Sequence, residues 1–143
     1  MKSVDFTIQG APAGKKRPKF TTVNGYTRTY TPADTMHNER LVRACYAWDY
    51  HGFKFPPKIP LYVKLTCYYP IPKSTSKKKA AQMEAGEIIP VVKPDLDNVA
   101  KLILDALNGL AWEDDNQIAR LEISKVYGED PHTDVHIETI ERE

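Results

Sequence analysis

The sequence predicts one α+β domain over residues 1–143, with a mixed or mostly antiparallel sheet packed by two or three helices. Three observations lead there. Short runs at Val4–Gly10, Leu61–Tyr69 and Ile118–Tyr127 alternate apolar and polar residues, the period-two mark of strands. The stretches from Thr31 to Tyr50 and from Asp97 to Leu107 instead space apolar residues by three and four, the mark of helices with one buried face. No internal repeat and no shift of composition divides the chain into two domains.

Val4–Gly10, the first element, is a half-buried strand. Residues 11–19, APAGKKRPK, form a loop of turn formers and cations. FTTVNGYTRTY, residues 20–30, reads as a hairpin with Asn24-Gly25 as its tight turn. Thr31-Pro32 opens a helix to about Tyr50 by the cap-then-proline pattern, with Leu41, Val42, Cys45, Tyr46 and Trp48 as its buried side. Residues 51–60 are a proline-rich connection. Leu61–Tyr69 is the clearest strand, ended by Pro70 and Pro72. Ser74–Gly86 is lysine-rich and reads as a short helix capped by its Ser-Thr-Ser start. Ile118–Tyr127 is a strand, and Asp134–Ile140 a final one.

Composition narrows the class. A chain of 143 residues suits one domain with one core. No apolar run approaches the ~18 residues that span a bilayer, so no membrane partner is expected. MKSVDFTIQG lacks the apolar core of a secretion signal. Cys45 and Cys67 have no metal-type spacing and read as reduced core residues of a cytoplasmic protein. The net charge of +1 hides an asymmetry. Residues 1–93 hold 16 Lys and Arg against 6 Asp and Glu, a balance of +10, and residues 94–143 hold 4 against 13, a balance of −9. The basic part suits a polyanion and the acidic part a cation, unless the halves merely attract each other.

The acidic part centres on KPDLDNVAKLILDALNGLAWEDD, Lys93 to Asp115. Val99, Leu102, Ile103, Ala106 and Leu107 form its buried helical face. Asp97 or Asn98 is placed to cap the helix, and Asn108-Gly109 to end it. Asp95 and Asp97 lie at its start, Asp114 and Asp115 after its end. Four carboxylates at the two ends of one helix-and-turn unit repel, and a hard divalent cation such as Mg²⁺ neutralises them through oxygen ligands. This convergence requires the turn after Gly109 to double back. Each residue also has a bland reading: Asp97 as a cap, Asp114-Asp115 as an acidic turn, and Lys101 as half of a solvated pair with Asp97 or Asp105. Asp105 reads as a local partner of Lys101, four residues away.

Three separated motifs, Lys93-Pro94-Asp95-Leu96-Asp97-Asn98-Val99-Ala100-Lys101, then Leu104-Asp105-Ala106-Leu107-Asn108-Gly109, then Trp112-Glu113-Asp114-Asp115, closely resemble the RusA family of Holliday-junction resolvases. The basic GKKRPKF, residues 14–20, and the lysine-rich Ser74–Lys79 are similar to the family too. The resemblance runs from residue 10 to about 127. It implies a homodimeric, Mg²⁺-dependent endodeoxyribonuclease whose two subunits cut opposed strands of a four-way junction, in recombination and repair, in bacteria and their phages or prophages. It carries the essential carboxylates onto Asp95, Asp97 and Asp115, with Asp114 as a neighbouring ligand, and the required lysine onto Lys101.

Such a site hydrolyses a phosphodiester by making water nucleophilic and stabilising charge on the phosphate and leaving oxygen. Lys101, among carboxylates, stays charged and acts electrostatically rather than as a base. Lys15, Lys16, Arg17, Lys19, Lys77, Lys78 and Lys79 are the expected phosphate contacts, which position DNA without reading its sequence. Tyr68, Tyr69 and Trp112 read as core residues before they read as stacking platforms. His37, His51, His132 and His136 show no zinc spacing. The strand Leu61–Tyr69, exposed tyrosines included, is one candidate dimer interface. Two other readings fit the same residues: a nuclease for other branched DNA, and a non-cleaving DNA-binding protein of the same fold.

Overall fold

The centre of the protein is a ten-residue strand with both edges paired. The computed structural model describes residues 2–30 and 32–141. Thr31, expected to open the first helix, lies outside the described residues. The elements are β1 (Ser3–Gln9), β2 (Lys19–Val23), β3 (Tyr26–Tyr30), α1 (Ala33–Tyr50), β4 (Leu61–Pro70), α2 (Lys77–Glu84), α3 (Leu96–Leu107), a 3-10 turn at Asp115–Gln117, β5 (Ile118–Gly128) and β6 (His132–Thr139). Four strands form one sheet in the order β1-β6-β4-β5, while β2 and β3 form a ribbon of their own. The pairs β1–β6 and β6–β4 are antiparallel and β4–β5 is parallel. The expected mixed sheet with three helices is thus observed.

Alternation in β4 decides which face of the sheet is covered. Leu61, Val63, Leu65, Cys67 and Tyr69 point inward and are buried, each apolar side chain contributing roughly 1.5–3 kcal/mol. They meet Val42 and Tyr46 of α1 and the buried face of α3, Val99, Leu102, Ile103, Ala106 and Leu107. Tyr62, Lys64 and Thr66 face the opposite side with Asp5, Thr7, Asp134 and His136, an open polar surface. Burial of the Cys67 thiol pushes its pKa up to about 11 and keeps it a neutral core group. No described helix is long and apolar enough to cross a membrane.

One expectation is corrected. Trp48 is 90% exposed and Leu41 is also exposed; the buried line of α1 is Thr35, Val42 and Tyr46. Both lines satisfy three- and four-residue spacing, and only the sheet's position selects between them. Tyr69 is buried, as its core reading expects, with its hydroxyl donating to the carbonyl of Pro94 at 2.5 Å. β4 is bonded to β6 on one side and β5 on the other, so both its edges are paired while Tyr62, Lys64 and Thr66 remain on its outward face. Residues 132–139, outside the recognised motifs, form β6 in the interior of the sheet and bury Thr133, Val135 and Ile137.

Candidate active site

Because β4 and β5 are parallel, the chain must cross from the end of one to the start of the other. The crossover carries α2 and α3, so the two ends of α3 receive the two acidic motifs. Tyr69, near the end of β4, holds Pro94 through its hydroxyl. Asp95 comes next, in extended conformation at the N-cap position, and Asp97 lies in the first turn of α3. Asp97 and Asn98, the expected caps, both lie inside the helix rather than at its N-cap position. No side chain accepts a capping bond there, and both aspartates are exposed. Lys101, one turn on, is exposed as well.

The turn after α3 does double back. Asn108 ends the helix, Gly109 takes a φ of 81°, and its amide donates to the carbonyl of Trp112 at 2.8 Å. Trp112 is fully buried, and its indole N–H donates to Oδ1 of Asp115 at 2.8 Å. Gln117 pins the acidic turn to the body of the domain. Its buried amide oxygen accepts from the backbone of Glu113 and Asp114 at 3.0 and 3.3 Å, and its nitrogen donates to the carbonyls of Pro56 and Ile59 at 2.9 and 3.1 Å. Nothing in the linear motif marks Gln117, whose partners come from the connection before β4.

Asp115 is half-buried, and its carboxyl pKa is raised. Desolvation is the leading cause, the Trp112 bond opposes it, and the negative charges of Asp105 and Asp114 add to it. The doubled-back turn therefore brings Asp115 within electrostatic reach of Asp105. That residue lies two turns from Asp97, a rise of about 12 Å along the axis. Among the described residues no three His, Cys, Asp or Glu side chains are grouped to hold a metal ion. The expected convergence of Asp95, Asp97 and Asp115 is not a ready-made ligand cluster in the single chain. The donor chemistry still suits a hard cation, since Mg²⁺ takes one or two carboxylates and completes its shell with water and substrate phosphate.

Two assignments change. Asp105 pairs not with Lys101 but with Lys15, whose ammonium is 2.5 Å from Oδ2. That bond is the leading cause of the raised pKa of Lys15. Lys15 therefore leaves the set of free phosphate contacts. Its backbone amide also donates to the carbonyl of Asn98 at 2.9 Å, and Gly14 sits so close to Pro94 and Asn98 that a Cβ would come within 3.0 and 3.2 Å of theirs. Lys16 is held to the start of α1 by Asp34 and by Thr35. The basic loop is fastened across the acidic helix. Lys77, Lys78 and Lys79 form the exposed first turn of α2, capped by Ser76. His132 and His136 contact Asp134 and Asp5 respectively, within the sheet's open face.

Fold and site together define a class: a small α+β domain presenting unshared carboxylates beneath a cationic loop. The family model described as "Endodeoxyribonuclease RusA" matches residues 9–138, and the chain belongs to this family. It is an endodeoxyribonuclease, a hydrolase of DNA phosphodiesters. The chain is also similar to a Bacillus subtilis (strain 168) protein described as "Uncharacterized protein YqaN", 35% identical over 145 residues that cover 98% of this chain and 99% of that one. The family match continues to residue 138, so β6 belongs to the shared fold although the three motifs stop short of it.

Proposed function

We propose that the protein is a Mg²⁺-dependent, structure-selective endonuclease that resolves four-way DNA junctions, as a homodimer, by paired symmetric cuts. One observation carries the reading: Asp95 and Asp97 stand exposed at the start of α3 and neither spends its carboxylate on capping. Aspartate is a favoured capping residue at the N-cap position that Asp95 occupies. Here the chain leaves two charged oxygen donors side by side at a helix start, beside its main run of cations.

In this mechanism Asp95, Asp97 and Asp115 would hold the cation, with Asp114 adjacent. When bound, Mg²⁺ supplies Lewis-acid stabilisation of the phosphate and a more acidic water. The protein's own residues do the rest. Lys101 places a fixed positive charge beside the scissile phosphate and offsets charge developing there. Trp112 orients the Asp115 carboxylate by donating to one oxygen, which leaves the other free. Lys16, Arg17, Lys19 and the α2 lysines hold flanking phosphates. A two-fold axis relates two such sites in the dimer, as opposed cuts require.

The test is cleavage of a labelled mobile four-way junction beside linear duplex, flap and Y-form substrates, with Mg²⁺ or with EDTA. Paired symmetric nicks confined to the junction and lost in EDTA are expected. Equal cutting of flaps would assign the enzyme to branched DNA in general, and tight binding with no nick would make it a non-cleaving binder.

A further inference from the structure

The ribbon of β2 and β3 is bonded only to itself. An isolated two-stranded hairpin is marginal in water and usually rests on something. Every residue of β2 is exposed, and Phe20 and Tyr26 are 71% and 76% exposed. The register sorts the side chains. Thr21 pairs with Arg28 and Val23 with Tyr26, so these share a face with Lys19; Phe20 pairs with Thr29 and Thr22 with Thr27 on the other face. The apolar residues are thus divided between the two faces, and neither face offers a continuous apolar patch for a second protein. Charge points elsewhere. Residues 6–33 contain five cations, Lys15, Lys16, Arg17, Lys19 and Arg28, and no acid.

The base of the ribbon is fixed. Gly14 and Lys15 are fastened to α3 at Asn98 and Asp105, and Lys16 to Thr35 at the start of α1. Three residues later β2 begins. Asn24 and Gly25 both take positive φ, 52° and 79°, which gives a tight turn whose twist matches the strands. Five residues per strand reach about 16 Å from that base. A two-stranded ribbon of this kind fits the DNA major groove, which is ~12 Å wide.

We infer that the β2–β3 ribbon lies in the major groove of the duplex arm beside the cut, with Lys19 and Arg28 on phosphates and the threonine hydroxyls toward base edges. The Lys15–Asp105 pair and the Gly14 contact are its positioning device, setting the ribbon at a constant angle to the site on α3. This inference rests on the nuclease reading and adds to it a groove contact and a geometry.

The test uses the full-length protein with Ca²⁺ in place of Mg²⁺, to measure binding without cutting, on a fixed four-way junction. Lys19→Ala with Arg28→Ala removes two charges, and Thr21→Asp adds a repulsive one; all three sites are exposed, so thermal unfolding should match wild type. The expected result is junction affinity at least tenfold weaker, a salt slope lower by about two for the double alanine variant, and wild-type protection of guanine N7 in one arm that both variants lose. Unchanged affinity and no N7 protection, with the wild type still cutting junctions in Mg²⁺, would overturn the ribbon inference alone. Loss of the dimer in either variant would also overturn it, by giving the ribbon to the second subunit. A wild-type protein that neither binds nor cuts DNA would instead remove the nuclease reading beneath it.

Discussion

The indole N–H of Trp112 donates to Oδ1 of Asp115 across 2.8 Å, so a fully buried core residue holds a half-buried carboxylate of the site. This bond favours the charged form of Asp115 against desolvation. Trp112→Phe keeps an aromatic ring and deletes the donor. The Asp115 pKa should rise further in metal-free protein, as read by carboxyl-carbon NMR titration. The same substitution should lower cleavage more than it lowers junction affinity.

Asp115 itself should weaken the fold. Its native pKa lies above the unfolded value, so the unfolded chain gives up this proton at lower pH. Below the unfolded pKa the group is neutral in both states and has no effect. As pH rises through the native pKa a destabilisation develops, and it is complete above it. Asp115→Asn should therefore raise the metal-free Tm at pH 7 and lose that advantage toward pH 3, while abolishing cleavage. Thermal scans across pH measure the first effect and junction assays the second.

Lys101 is exposed, and no ion pair of it occurs among the described residues. Lys101→Ala should therefore change stability by about 0.5 kcal/mol or less. If its charge acts on the transition state, kcat should fall on the order of 10²–10³-fold with junction affinity nearly intact. Single-turnover cleavage beside a gel-shift titration separates the two.

Gln117 has the opposite profile, since it touches no expected substrate group but satisfies four backbone partners. Gln117→Leu would leave buried amides and carbonyls without partners. The cost should be roughly 2–4 kcal/mol, seen as a lower midpoint in urea at unchanged m. Residual folded protein should cut poorly, because the Trp112–Asp115 turn loses its anchor to Pro56 and Ile59.

Local order determined much of this protein. Alternation in Leu61–Tyr69, the Asn24-Gly25 turn, the buried face of α3 and the acidic motifs all arise from interactions between near neighbours, which the linear string records. Tertiary structure decided the rest. Whether Val42 or Leu41 is buried depends on where the sheet lies beneath α1. Lys15 is bound to Asp105, ninety positions away, and no helical spacing could announce that. Gln117 acquires its role from carbonyls about sixty residues earlier. The aspartate at position 115 comes within electrostatic reach of Asp105 on a turn whose Trp112 is drawn into the core, and burial of an indole is a property of the packed whole. Periodicity specifies which face of an element is apolar, but only packing specifies what that face, and the charges beside it, will meet.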